Sequence, residues 1–308
     1  MLDGSIRVLD FDGSIVRQKR LLSGYKADII DLKNVGPKAR FWMKPKDRDE
    51  IERRISSSSK RSVTFLGSGD FHHVSSILIN SLGEEITVIA FDLHPDWNTL
   101  PPRLGCGSWV TETLRNGHVR KHVMLGPSFD AGTFFSLQTG NLKALRENRV
   151  EIYPYSARPS TVFFKRVPPS VSINSKGNLL FTRIYWKGLE GADLASFFLD
   201  VIKRLPTKRV YVTIDKDCLK KQHALTNWRE GKFSMEELFL MLRLIKENLD
   251  VAGVDVTGDY SKIRVDGISK KAVSFLNHPK FFSARELPES YVTAVNEQTN
   301  LKIMQALV

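Results

Sequence analysis

The chain has 308 residues, 42% hydrophobic and 26% charged, a balance that excludes wholesale disorder and suits one large α/β domain or two average ones. Two cysteines, Cys106 and Cys218, exclude a disulfide framework, and no apolar run approaches the ~20 residues of a membrane span. The net charge of +12 comes from small, scattered basic groups without an aromatic-interleaved stripe, which favours a solvated basic surface over a nucleic-acid site. The first residues carry an acid, Asp3, and no apolar leader, so the expectation is a cytoplasmic protein.

In chain order, the run Val8–Leu9 ahead of Asp12-Gly13 reads as a hairpin with its turn at those two residues. The polar stretch Ser56–Ser59 reads as a short linker. Apolar runs then predict strands at Ser62–Leu66, Ile86–Phe91, His122–Leu125 and Val150–Tyr153. The Pro-, Ser- and Asn-containing residues 154–178 read as a long loop or insertion. A helix is predicted from Leu194 to Leu205, capped by Asp193 and stopped by Pro206, because Leu194, Phe197, Phe198, Val201, Ile202 and Leu205 recur at helical spacing. A strand at Arg209–Ile214 follows. Next comes a helix opened by a Ser234/Glu237 capping box, burying Leu238, Met241, Leu242, Ile245 and Leu249. A strand at Val251–Val256 and a last helix after Ser290 complete the pattern. Alternating strands and helices predict a three-layer α/β/α fold with a mainly parallel sheet. Nothing forces a boundary, so a single domain over 1–308 is expected.

Three polar segments each close a predicted strand. Gly67-Ser68-Gly69-Asp70-Phe71-His72-His73 is a Gly-rich turn offering one or two imidazoles. In Asp92-Leu93-His94-Pro95-Asp96, residues two apart share a face if the chain stays extended, so two carboxylates and an imidazole can converge on a divalent metal. Asp215-Lys216-Asp217 repeats the spacing. A lone D-x-D is more often a solvated turn or a cap. Three such segments at carboxyl ends of parallel strands favour a joint metal site. His118, His122, His223 and His278 have no ligand spacing and read as surface or core residues, with His223 the best placed spare proton donor. Cys106 and Cys218 read as buried thiols.

These residues resemble the motifs of the arginase/agmatinase/formiminoglutamase (ureohydrolase) family, whose fold is shared with histone deacetylases. The family's G-G-D-H-S, D-A-H-x-D and S-x-D-x-D correspond to Ser68–His73, Asp92–Asp96 and Thr213–Asp217. Gly231–Leu238 resembles its G-G-L-S-x-x-E, Gly253–Val256 its G-x-D strand, and Gly36-Pro37 with Arg40 echoes its G-P-x-x-x-R. The likeness covers roughly residues 60–260, with 1–60 divergent. It implies an arginase-like fold and two Mn²⁺ ions held by His72, Asp92, His94, Asp96, Asp215 and Asp217. It further implies hydrolysis of a C–N bond in a guanidino, formimino or related amide substrate by a hydroxide bridging the metals. The implied catalytic residues are Asp217, with His73 as an acid/base group and Asp259 near the guanidinium position. The implied partner is a small-molecule or peptidyl substrate, with homo-oligomerisation left open.

Departures from the family bear on the substrate. Phe71 stands at the family's histidine, so the ligand shifts to His72, or alternatively to His73. Leu104–Trp109 lacks the family's proton-shuttle histidine, and Gly258 occupies the register of its guanidinium-binding carboxylate, with Asp259 one residue on. Cys106-Gly107-Ser108-Trp109 loosely resembles the C-G-N-W of an arginase-like branch that acts on peptidyl arginine. Two rival readings exist. Val8–Ser14 resembles motif one of haloacid dehalogenase-like phosphatases, with Asp10 and Asp12 around a Mg²⁺ ion. A non-catalytic binding protein on a hydrolase scaffold is the other.

Overall fold

The computed structural model describes residues 4–55, 62–102, 104–129, 134–178, 180–277 and 287–308. The stretch Ser56–Ser59 and His278 lie outside the described residues. Eight strands form one sheet: β1 (Ile6–Asp10), β2 (Ala27–Asp31), β3 (Val63–Gly67), β4 (Ile86–Phe91), β5 (Val119–Leu125), β6 (Val150–Tyr153), β10 (Arg209–Asp215) and β11 (Asp250–Thr257). Their order is β2-β1-β3-β11-β10-β4-β5-β6, and every pairing is parallel. The six strands expected from apolar runs are all present. Their residues are buried almost throughout because helices cover both faces, as a parallel sheet requires.

One face packs Val8, Phe65, Ile89 and Val212 against helices Leu194–Lys203, Met235–Asn248 and Glu289–Leu307. The other packs Leu66, Val88, Met124 and Tyr211 with residues of helices Pro45–Ile55, Ser75–Asn80 and Leu142–Arg146. Asp193 caps its helix by accepting from the backbone N–H groups of Ala195 and Ser196, and the Ser234/Glu237 capping box is complete. The last helix, Glu289–Leu307, also forms as expected.

Two expectations are corrected. The N-terminal segment is not a hairpin: β1 and β2 run parallel, joined through helix Lys19–Gly24. Asp12-Gly13 is a turn, but Asp12 Oδ1 accepts from the Ser14 N–H and hydroxyl and sends the chain into a crossover instead of back along β1. The buried pattern of all five β1 residues fits this, since an interior strand is covered on both sides. Residues 154–178 are likewise not simply a loop. They supply β7 (Ser160–Phe163) and β8 (Ile173–Gly177), which flank β9 (Phe181–Trp186) in a separate antiparallel sheet of order β7-β9-β8. In β9 Thr182, Ile184 and Trp186 are buried and Phe181, Arg183 and Tyr185 exposed, the period-two alternation of a half-covered strand.

The first three strands run outward as β3-β1-β2 and the later ones as β4-β5-β6, with β11 and β10 between β3 and β4. The strand order thus reverses at the centre, and ligands of open α/β sheets bind beyond the strand ends at such a point. The three polar segments follow β3, β4 and β10, all at this place.

Candidate metal centre

Turns, not extended chain, bring the Asp and His side chains together. β4 ends at Phe91, and beyond it the His94 N–H donates to Asp92 Oδ1 at 2.6 Å, while Asp96 takes a positive φ of 43°. Asp215 ends β10 and accepts from the Asp217 N–H at 3.0 Å, opening the short 3₁₀ turn Lys216–Cys218. The expected shared strand face is therefore replaced by two tight bends. These are stitched to each other, because the Leu93 N–H donates to Asp217 Oδ1 at 3.0 Å.

The segment after β3 is a 3₁₀ turn, Gly69–Val74, in which residues three apart lie on one side. That places Gly69 and His72 together. A Cβ on Gly69 would lie 2.7 Å from Asp215 Oδ2, and His72 Nδ1 is 3.7 Å from the same oxygen. His73 turns away. It is buried, neither ring nitrogen has a hydrogen-bond partner, and burial, reinforced by the Lys270 and His72 charges, lowers its pKa to about 3. Phe71 is committed to packing, stacked on Phe11 at 4.7 Å.

Two groups of donor atoms result, and they share Asp92: His72, Asp92 and Asp96 in one, Asp92, His94 and Asp217 in the other. His72 Nδ1 lies 3.1 Å from Asp92 Oδ2 and 3.4 Å from Asp96 Oδ2, and His94 Nδ1 lies 2.8 Å from Asp217 Oδ2. A proton count explains why this arrangement calls for a cation. Thr213 has one hydroxyl proton, which it donates to Asp255 Oδ1 at 2.6 Å, so it accepts at 2.8 Å from His72 Nε2–H. The Nδ1 lone pair of a neutral His72 then faces two carboxylates, a contact that only a proton or a metal ion between them can make favourable. His72 Nδ1, Asp92 Oδ2 and Asp217 Oδ2 are buried atoms left without hydrogen bonds, and they converge here.

Charge effects agree with that reading. Burial pushes the Asp92 carboxyl up, but hydrogen bonds and charge from His72 and His94 outweigh it and hold the group at about 2. Asp96 rises to about 6 through burial and the Asp92 charge, and burial, with the Asp217 and Asp92 charges beside it, also raises Asp215 well above the ordinary carboxylate range. Burial lowers both imidazoles, yet the surrounding carboxylates raise His72 and His94 well above the ordinary histidine range. Four buried carboxylates are being supplied with positive charge from whatever source is at hand. The oxygen-rich donor set with two imidazoles fits divalent metal ions.

A cavity of about 570 Å³ opens onto this cluster, with His94, Asp96, Asp215 and Asp217 in its wall. Its sides include Phe41, Trp42, Cys106 and Trp228, and Arg229 supplies a cation. Asp259, expected near the substrate, is not in this wall. Its Oδ2 is 2.7 Å from Lys216 Nζ, and its Oδ1 accepts from Gln18 at 2.6 Å. His73 does not line the cavity either.

Two tryptophans have structural roles that the sequence did not reveal. Trp109 donates from Nε1 to Asp96 Oδ2 at 2.9 Å and packs on His72, and Trp228 donates to Asp70 Oδ1 at 2.9 Å with its ring 5.1 Å from His94. Trp109 had a signal in its Cys-Gly-Ser-Trp run, whereas Trp228 had none. Asp70, inside the first motif, forms a buried ion pair with Arg40 at 2.6 Å. Asp10 and Asp12 serve the neighbouring loop: Asp10 accepts from the Gly13 N–H and meets Lys33 Nζ at 2.8 Å, and Asp12 Oδ2 accepts from the Ser68 N–H at 3.1 Å.

The eight-stranded parallel sheet with helices on both faces matches the arginase-like α/β fold, which solved structures share over nearly the whole chain. An arginase from Entamoeba histolytica in complex with L-ornithine aligns with a TM-score of 0.57 at 9% identity, covering 100% of this chain and 98% of that one. An arginase from Bacillus subtilis aligns at 0.55 and 13% identity, covering 98% and 97%. Formimidoylglutamase from the same organism aligns at 0.54 and 12%, covering 98% and 86%. In sequence, an uncharacterized protein of Thermotoga maritima is 25% identical over 259 residues, 84% of this chain and 81% of that protein. No family profile matches the chain. Among the described residues, no helix is long and apolar enough to cross a membrane.

Proposed function

We propose that this chain is a metal-dependent hydrolase of the arginase-like class that cleaves a C–N bond. The observation that carries this reading is the sharing of Asp92 between two donor groups, with His72 Nδ1 presented as a lone pair by Thr213. His72, Asp92 and Asp96 would hold one divalent ion, Asp92, His94 and Asp217 a second, with Asp215 beside His72. Oxygen-rich ligation favours Mn²⁺ over Zn²⁺, which prefers more nitrogen and sulfur. Bound divalent ions supply Lewis acidity and a lowered pKa for coordinated water.

The protein's own groups divide the remaining work. Thr213 and Asp255 fix the His72 tautomer, and Trp109 fixes Asp96. Asp217 is anchored through Oδ1 by the Leu93 N–H, which fixes Oδ2 beside His94 Nδ1, at 2.8 Å, as the oxygen that would face the second ion. The aromatic side wall excludes water and orients the substrate. Asp259 and His73 receive no catalytic role in this proposal, because neither reaches the cavity. With Asp259 engaged by Lys216, that carboxylate does not serve a cationic group, so neutral amide substrates are favoured over guanidino and formimino ones, both of which are protonated near neutral pH.

A panel of guanidino, formimino, amide and peptidyl-arginine compounds, assayed for release of urea, ammonia or acetate with Mn²⁺ present, tests the proposal. Turnover of one class supports it. Phosphate release from a generic ester with none of those products would replace it by the phosphatase reading.

A further inference from the structure

A second cavity, about 400 Å³, lies beyond the carboxyl ends of β1 and β2, and its charged lining is dominated by Arg17, Lys33, Arg40, Lys262 and Arg264. Facing these five cations are two carboxylates, Asp12 and Glu289. We propose that this cavity binds a phosphate-bearing small molecule, independently of the metal centre.

The charge pattern carries the inference. Lys33 meets Asp10 at 2.8 Å, Arg17 meets Glu289 at 3.5 Å, and Arg40 pairs with Asp70 at 2.6 Å. Lys262 and Arg264 are exposed and have no carboxylate partner among the described residues. Arg40 lines the cavity while only 1% exposed, and its Nε, buried, has no hydrogen-bond partner. Asp12 is the acid an anion would have to tolerate. Its Oδ1 accepts from Ser14, its Oδ2 accepts from the Ser68 N–H, and Arg40 Nη2 lies 3.6 Å from Oδ2, so its charge is largely satisfied within the wall. The two cations without a carboxylate, Lys262 and Arg264, with the unpartnered Arg40 Nε, suit a phosphate monoester, which brings a charge of about −1.5 to −2 and three acceptor oxygens. A planar carboxylate offers only two oxygens to donors that approach from the β1 loop, the β2 end and the 262–264 segment. Asp10 does not line the cavity, so the site is one of binding, without phosphoryl transfer to that residue.

Calorimetric titration of the metal-loaded protein with inorganic phosphate, pyrophosphate and citrate at moderate ionic strength tests the site. Saturable binding of pyrophosphate or phosphate with Kd below about 1 mM is expected. The affinity should fall by at least about tenfold in Lys262→Ala/Arg264→Ala, whose exposed side chains can be removed without disturbing the core. Binding should persist in Asp92→Asn, which separates this cavity from the metal centre and from the fate of the hydrolase reading. Absence of saturable binding, retention of affinity in the double variant, loss in Asp92→Asn, or citrate binding as tightly as pyrophosphate would each overturn the assignment.

Discussion

His72 donates from Nε2 to Thr213 Oγ1 at 2.8 Å, and this bond decides which nitrogen of the ring faces the carboxylates. Thr213 can accept only because its own proton goes to Asp255 Oδ1, and Tyr211 holds the other Asp255 oxygen at 2.8 Å. The chain from Tyr211 to His72 is buried throughout. It lies behind the residues proposed as ligands and sets their chemistry from there.

Replacing Thr213 with valine keeps the shape of the side chain and removes the acceptor. Metal affinity is expected to fall by about 10- to 100-fold, the usual cost of losing the partner behind a ligating histidine. Competition with a calibrated chelator measures it. Unchanged affinity would show that Thr213 does not set the tautomer.

His72 and His73 are adjacent in sequence and opposite in environment. His72→Ala is expected to lose metal, whereas His73→Ala should keep full metal content and turnover and lose only some stability through the cavity it leaves. Elemental analysis of the two variants distinguishes them. Metal loss in His73→Ala with retention in His72→Ala would reverse the assignment.

Much of this site was legible in the sequence. Asp92, His94, Asp96, Asp215 and Asp217 follow apolar runs that suit strands covered on both faces, and parallel order puts the ends of such strands at one edge. Of the two histidines, the geometry places His72 beside Asp92 and Asp96, and His73 away from them. What was not legible depended on three-dimensional partners. Asp259 looked free for substrate because nothing local announces Lys216 behind it. Asp12-Gly13 looked like a hairpin because a turn signal carries no information on whether the chain returns antiparallel or crosses over. The β9 strand was missed although Phe181–Trp186 alternates, because neighbouring prolines and polar residues marked the preceding region as loop.

Lys216 and Asp259 form an ion pair at 2.7 Å with side-chain exposures of 0% and 1%. Asp259→Ala strands a buried cation and is expected to destabilise the fold by about 3–5 kcal/mol, as breaking such pairs does. The double variant Lys216→Met/Asp259→Leu should recover much of that loss. Chemical denaturation of the set checks this, and a stable Asp259→Ala that merely lost turnover would restore Asp259 to the active site.

His122 is buried, accepts or donates one bond with Thr113 at 2.7 Å, and is lowered to about 3 by burial, with Arg149 adding to the effect. Its folded pKa lies below the unfolded value near 6.5, so the unfolded chain takes up the proton first as pH falls. Its contribution to stability is therefore full above about pH 6.5 and declines toward pH 3 by up to about 1.4 kcal/mol per unit. Comparing unfolding of the wild type and His122→Gln between pH 7 and 5 isolates it: the wild type should show the steeper loss, and parallel curves would contradict the assignment.

The most direct measurement is metal stoichiometry in the wild type and in Asp92→Asn after incubation with Mn²⁺ and removal of excess. Because Asp92 belongs to both donor groups, the account predicts two ions per chain in the wild type and the loss of at least one in the variant, with the fold retained. A wild-type protein that stays metal-free, or an Asp92→Asn variant that still holds two ions, would contradict it.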